Sequence, residues 1–503
     1  MNGPRTRTAC VYFPVVRRLP AGSSSALGDA PLALAERLAH RPGFFWLDSS
    51  AARAGADAWS FLGVEPAAAI TYRQRRAEIH AAGRLAVLDG PRALTVLARE
   101  LFEHRAAPVE SAGRQPPFTG GWFALCGYDL GRQLERLPQR AADDLPFPDL
   151  YLARHETLLA FDHKEGQWWA ACLVPADVPS ARRARHAEEQ AHALLETMHA
   201  QARATNGVGG HGGPPHQGTP HQDSSHQITS NFTRVQYETM VARALEYIAA
   251  GDIYQVNLSQ RFECAWRASA FELYRRLRTE SPSRYGAFAN LGAGRAVASI
   301  SPELFLSMRG REVLTRPIKG TRPRGVTPDQ DAALAAELDA SAKERAELTM
   351  IVDLERNDLG RVCDYGSVKV ASAGALEFHP TVIHRVAAVA GHLHHRRGVR
   401  ELLCAMFPGG SVTGAPKVRA MQIIEELEPH RRGPYCGAIG WIGADGDVAL
   451  NLAIRTALID ERAGKAWYQA GGGIVADSDP AREYEETLAK AAAFFRAVNG
   501  RLI

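Results

Sequence analysis

Residues Tyr237–Glu263 read YETMVARALEYIAAGDIYQVNLSQRFE. Tyr237, Met240, Val241, Ala244, Leu245 and Ile248 recur at three- and four-residue steps, the period of one buried helix face. Gly251 ends that pattern, and IYQVNLSQRFE continues as a strand. A helix running straight into a long strand excludes an all-helical bundle and an all-β barrel, and places the chain among the mixed α/β or α+β proteins.

The same alternation continues toward the C-terminus. SPELFLSMRGREVLTRPIKG (301–320) reads as a hairpin turning at Arg309-Gly310. KERAELTMIVDLERNDLGR (343–361) begins as a helix, and REYEETLAKAAAFFRAV (482–498) is a terminal helix. Toward the N-terminus, FFWLDSS, SFLGVEP and LLAFDHKEGQWWAACLV read as strands, followed by a helix over 181–203. Residues 204–230 are rich in Gly, Pro, His and Gln and lack any period, so they read as a linker. His211, His216, His221 and His226 recur there every fifth residue, but flexible filler is the simpler reading than a metal tract. The expected organisation is an N-terminal region over 1–203, a linker over 204–230 and a catalytic region over 231–503.

Composition bounds the function. The chain has 503 residues and a net charge of +4, too small for an electrostatic nucleic-acid binder. Hydrophobic residues make up 46%, enough for a sizeable core. The 7 cysteines are scattered singly without a CxxC, which disfavours a disulfide framework or zinc site and favours the reducing cytoplasm. No uninterrupted apolar run is long enough to span a membrane.

Three constellations carry chemistry. Glu344 and Glu347, and Glu483 and Glu486, stand three apart on helices, so each pair shares a face. Four carboxylates could hold one hard cation such as Mg²⁺, although solvated helix faces are also rich in glutamate. FPGGSVTGAPK (407–417) lacks the Gly-Lys-Ser/Thr ending of a phosphate loop and is no nucleotide site. In QAGGGIVADSDP, the N–H groups of Gly471, Gly472 and Gly473 could bind a carboxylate, or form a plain tight turn. Lys319 sits among Arg316, Arg322 and Arg324, cations that would lower its pKa toward a nucleophilic amine. An acidic partner in a basic loop would instead leave it an ordinary charged lysine.

Together these segments resemble the chorismate-utilising enzymes, the family of anthranilate synthase component I. The resemblance is carried by GDIYQVNLSQRF, ASISPELFL, RPIKGTRPRG, ELTMIVDLERNDLGRVC, FPGGSVTGAPKVRAMQIIEELEP, RGPYCGAIGW, NLAIRTA, QAGGGIVADSDP and EYEETLAKA, in family order. The N-terminal half is similar more thinly, through FFWLDSSAARAGADAWSFLGVEP and GGWFALCGYDLGRQLERLP. The fold this implies is α+β, with two large β-sheets packed in the core and helices outside. Within the family, Lys319 resembles the aminodeoxychorismate-forming branch, where anthranilate synthases carry alanine. Gln255 stands where the water-adding members carry a lysine base.

The resemblance implies conversion of chorismate and ammonia to 4-amino-4-deoxychorismate, a precursor of 4-aminobenzoate and folate. It implies Lys319 as covalent nucleophile, Glu303 as general acid and His384 near the ring hydroxyl. Mg²⁺ would rest on Glu344, Glu347, Glu483 and Glu486. Arg455 and Tyr435 would grip the enolpyruvyl carboxylate, and Gly471, Gly472 and Gly473 the other carboxylate. Ser411, Lys490 and Gln255 align with further active-site positions, though Lys490 is also placed for a helical ion pair with Glu486. No Gly-x-Cys-x-Gly glutaminase motif is present, so ammonia is expected from a separate glutamine amidotransferase subunit. Leu47–Ser50 (LDSS) loosely resembles the family's tryptophan-binding motif. The rival readings are anthranilate synthase component I and a tryptophan-binding regulator without catalysis.

Overall fold

The computed structural model describes residues 12–19, 31–52, 58–90, 106–107, 113–206 and 226–503. The elements that carry the site are, in chain order, β1 (Gln255–Ala265), β2 (Leu304–Arg309), β3 (Ile318–Pro323), α1 (Ala342–Gly360), β4 (Val382–His392), α2 (Lys417–Leu427), β5 (Lys465–Ile474) and α3 (Pro480–Ala497).

Strands of the described residues form two large sheets, one of 13 strands and one of 12. β1 and β5 lie in the first, while β2, β3 and β4 lie in the second. An aromatic layer of Phe45, Phe61, Phe118, Phe123, Trp441 and Trp467 fills the space between them. Helices cover the outer faces: α3 packs on β5 and α1 on β3 and β4. This is the expected α+β sandwich with helices outside.

Both sheets draw strands from both halves of the chain. Phe45–Asp48 pairs with Tyr285–Gly292 in the first sheet, and Gly121–Cys126 pairs with Ala438–Gly443 in the second. The N-terminal residues therefore build the same layers as the catalytic ones. At the expected linker, a helix continues to Asn206 and a strand spans His226–Ser230, pairing with β1. His226 lies in that strand against the Trp266 ring, not in a loop. His211, His216 and His221 fall outside the described residues.

The 301–320 hairpin forms one residue later than expected. Arg309 pairs with Glu312, so the turn residues are Gly310 and Arg311. Gly310 takes φ +58°, the left-handed backbone that a two-residue hairpin turn requires. Among the described residues no helix is long and apolar enough to cross a membrane.

Both glutamate-bearing helices start immediately before their carboxylates. Ser341 caps α1 by accepting from the Glu344 N–H, and Asp479 caps α3 by accepting from the Arg482 N–H, with Pro480 at the first position. Each cap is worth about 1 kcal/mol. Their larger effect here is to fix where Glu344 and Glu483 point.

Candidate active site

Lys319 is displaced from regular pairing by a β-bulge. β3 pairs with β4 at Ile318↔Val386 and Thr321↔His384, three residues against two, so Lys319 and Gly320 share the irregularity. Gly320 adopts φ +85°, and a Cβ there would lie 2.8 Å from Glu344 Oε2. The left-handed backbone is what requires glycine. Gly320→Ala is expected to cost about 1–2 kcal/mol in the left-handed backbone alone, and to lower both the melting temperature and chorismate turnover. An unchanged melting curve would show that the bulge relaxes freely.

The cause of Lys319's altered acidity differs from the expected one. Its pKa is lowered chiefly by burial, with Lys490 adding to the effect and Glu347, Glu303 and Glu486 opposing it. The three nearby arginines are committed elsewhere: Arg316 to Glu377, Arg322 to Glu337 and Glu344, and Arg324 to Asp331. Among the described residues the Lys319 amine has no hydrogen bond or ion pair, so the acidic-partner alternative does not describe it.

Glu303 follows from the strand break before β2 and is buried. Burial raises its pKa to about 7, against the opposing pull of Ser411, Lys319 and Arg455. Ser411 Oγ donates to Glu303 Oε1 at 2.7 Å. A carboxyl that holds its proton near neutrality is what a general acid needs.

His384, in β4, is buried and shares a 2.8 Å hydrogen bond between Nδ1 and Thr321 Oγ1, while Nε2 has no partner among the described residues. Burial, then Arg455 and His379, push its pKa down to about 3, so the ring is neutral. Thr321 was not singled out in the sequence, although its place directly after the Lys319-Gly320 bulge is what orients His384. Arg455 lines the same small cavity as His384 and His379, with φ +50° and no side-chain hydrogen bond or ion pair among the described residues. An unpaired guanidinium beside a neutral imidazole suits an incoming carboxylate. Tyr435 instead packs in the core with Tyr128 and Cys436, beneath the Arg432 guanidinium, and no hydrogen bond links it to Arg455.

The glycine strand forms the opposite wall. Within β1, Ser259 N–H donates to Glu428 and Arg261 N–H to Asn231, so odd-numbered residues turn their backbone away from β5. Ser259↔Gly471 and Asn257↔Gly473 are thus the non-hydrogen-bonded pairs, and Leu258↔Gly472 exchange ladder bonds. Gly471 and Gly473 present their N–H groups at the open edge of β5. Gly472, contrary to expectation, spends its N–H on the ladder. Its missing side chain matters instead, because a Cβ there would lie 2.9 Å from Glu483 Oε2 and 3.2 Å from Glu486 Oε1. At Gly473 a Cβ would meet Gln255 Nε2 at 3.0 Å and Lys319 Nζ at 3.1 Å. Gln255 is buried with neither amide atom bonded among the described residues.

The glutamate pairs thus approach from two sides, α1 against Gly320 and α3 against Gly472. Glu344 Oε1 accepts from Arg322 and Glu483 Oε1 from Ser478 at 2.7 Å, yet Glu344 Oε2 and Glu483 Oε2 are buried without a hydrogen-bond partner among the described residues. Glu347 stands 3.9 Å from Lys343, and Lys490 Nζ bridges Glu486 at 2.6 Å and the Gly471 carbonyl at 2.8 Å. That helical ion pair holds Glu486 below the usual carboxylate range, while burial raises Glu483. Among the described residues no three Asp, Glu, His or Cys side chains converge as a finished metal cage. Two buried carboxylate oxygens lacking a positive partner, in an all-oxygen donor set, nonetheless match the needs of a hard divalent cation.

A separate cavity of about 220 Å³ lies between the sheets, lined by Leu47, Asp48, Ser49, Trp59, Phe61 and Trp441 among others.

Against known proteins, residues 43–496 match the family described as chorismate binding enzyme. The chain is 42% identical over 403 residues to the anthranilate synthase component 1 of Thermus thermophilus, covering 80% of this chain and 82% of that protein. It is 41% identical over 374 residues to the aminodeoxychorismate synthase component 1 of Klebsiella aerogenes, covering 74% and 76%. The crystal structure of anthranilate synthase component I from Streptococcus pneumoniae TIGR4 superimposes with a TM-score of 0.70 at 31% identity, covering 87% of this chain and 92% of that one.

Proposed function

The chain belongs to the chorismate-binding enzymes, and from that membership we propose that it makes 4-amino-4-deoxychorismate from chorismate and ammonia. Relatives with anthranilate and with aminodeoxychorismate synthase names are equally near. The observation that supports the second activity is Lys319 itself, a half-buried lysine whose amine has no ion-pair partner among the described residues, facing Gly473 and within the field of Glu303.

In this reading Arg455 binds the enolpyruvyl carboxylate, with the neutral His384 beside it. The Gly471 and Gly473 N–H groups receive the ring carboxylate. Neutral Lys319 attacks ring carbon C2, forming an N–C2 bond as the ring double bonds shift and the C4–O bond breaks. Glu303 gives its proton to the departing hydroxyl, which leaves as water, and the attacking nitrogen loses a proton in turn. Ammonia then bonds to C4 and gives up a proton, the double bonds shift back, and the C2–N bond breaks as the departing nitrogen takes a proton up, restoring the Lys319 amine. The covalent route divides one difficult substitution into two easier ones. Mg²⁺, held by Glu344, Glu347, Glu483 and Glu486, would supply positive charge to the ring carboxylate. Glu486→Gln is expected to raise the Mg²⁺ concentration for half-maximal activity at least about tenfold; an unchanged titration would remove Glu486 from the ligand set.

The relatives' designation as component 1 supports a partner subunit, and we assign ammonia delivery to a separate glutamine amidotransferase. The aromatic-walled cavity at Leu47–Ser50 suits tryptophan as a further ligand. A purely regulatory protein would have no use for Lys319, Glu303, Arg455 and both glutamate pairs together. The lysine step is tested by mass spectrometry of protein incubated with chorismate and Mg²⁺ without ammonia. The expected result is an adduct on the Lys319 peptide equal to chorismate less water; chorismate consumption without any adduct would exclude the covalent route.

A further inference from the structure

One buried carboxyl on α1 has no part in the scheme above. Glu355 lies eight positions beyond Glu347 on the same helix and is buried. Its Oε1 accepts the Gly410 N–H at 3.2 Å, and its Oε2 has no partner among the described residues. Gly410 opens the short 3₁₀ turn Gly410–Val412, whose next residue, Ser411, donates to Glu303. The turn lies flat on α1: a Cβ at Gly410 would meet Leu354 Cδ2 at 2.7 Å and Glu355 Oε1 at 3.0 Å. The nearest cation does not neutralise Glu355, because Lys417 Nζ is taken by Asp358 Oδ2 at 2.5 Å and the Met406 carbonyl at 3.0 Å.

We propose that Glu355 is a positioning residue for the general acid: it anchors the Gly410–Val412 turn to α1 and so keeps Ser411 on Glu303. The inference rests on the reading of Glu303 as proton donor. Burial pushes the Glu355 carboxyl up to about 8, with Asp358 adding to the rise and Lys417 opposing it. At neutral pH the group is therefore mostly a neutral acceptor for Gly410, a task a glutamine can perform and a leucine cannot. The charged and titratable groups around Glu303 are Lys319 on β3, Arg455 before the Thr456–Asp460 strand, Cys436, and Glu355 itself on α1.

The test compares the pH dependence of chorismate consumption in Glu355→Leu, Glu355→Gln, Ser411→Ala and Glu303→Gln, with melting curves for each. Ser411 stabilises the charged form of Glu303, so losing that bond raises the pKa of the acid and moves the alkaline limb of kcat/KM to higher pH. Glu355→Leu is expected to show this shift and a fall in kcat of about tenfold or more, with KM held within about twofold. Ser411→Ala should show the same shift, Glu355→Leu combined with Ser411→Ala no further one, and Glu355→Gln should keep the parent profile. A parental profile in a folded Glu355→Leu protein, with Ser411→Ala shifted, would overturn the positioning role alone. If Glu355→Leu does not fold, failure of Glu355→Gln to keep the parental profile overturns it. Normal turnover in Glu303→Gln would overturn the acid assignment, and this proposal with it.

Discussion

Lys319→Ala is expected to lower formation of 4-amino-4-deoxychorismate by at least about 10³-fold, in line with losses on removing a covalent nucleophile. The fold should survive. Lys319 sits in a bulge rather than the ladder and makes no ion pair or side-chain hydrogen bond among the described residues, so its removal breaks no such contact there. Burial of an ammonium is itself unfavourable, and the alanine variant should melt at or slightly above the parent temperature. Chorismate binding should persist, because Arg455 and the Gly471 and Gly473 N–H groups remain. Measurement of product formation, melting temperature and chorismate affinity separates these expectations. Near-normal turnover would remove the covalent step.

Glu303→Gln carries the second largest expected effect, a loss of about 10²–10⁴-fold in kcat, the usual worth of a positioned general acid. The pH profile gives its sign. Activity requires Lys319 deprotonated and Glu303 protonated, so kcat/KM rises as the lysine loses its proton and falls as Glu303 loses its own near pH 7. The glutamine variant should lack that alkaline fall in its residual activity. Stability moves with it. The folded-state pKa of Glu303 is raised above the unfolded value, so its protonated form favours folding at low pH and this contribution is lost as pH rises through 7. The melting temperature of Glu303→Gln should therefore gain on the parent between pH 5 and 8. A constant difference across that range would show that Glu303 titrates normally.

Local features were legible in the sequence because local physics sets them. The apolar period over Tyr237–Ile248 and the stop at Gly251 lead to the observed helix Arg234–Ala249 and the strand β1. Glu344 with Glu347, and Glu483 with Glu486, lie on helices as their spacing requires. Long-range placement was not legible. Nothing in FFWLDSS specifies that Trp46 will stand beside Phe288 in a strand 242 positions later. The reason for Lys319's low pKa was also hidden. Its sequence neighbours Arg316, Arg322 and Arg324 are drawn into ion pairs, and burial by distant elements takes over. Gly472 was read as an N–H donor because a glycine run carries no register; only pairing with Leu258 shows which amides are spent. Nothing in the sequence marks Glu355 apart from the other acidic residues of α1; its burial and its bond to the Gly410 N–H come from the fold.

The central claim is the product. The purified chain, incubated with chorismate, Mg²⁺ and an ammonium salt near neutral pH, should yield 4-amino-4-deoxychorismate that becomes 4-aminobenzoate only on addition of a lyase. Anthranilate with release of pyruvate would contradict the account and reduce Lys319 to a bystander.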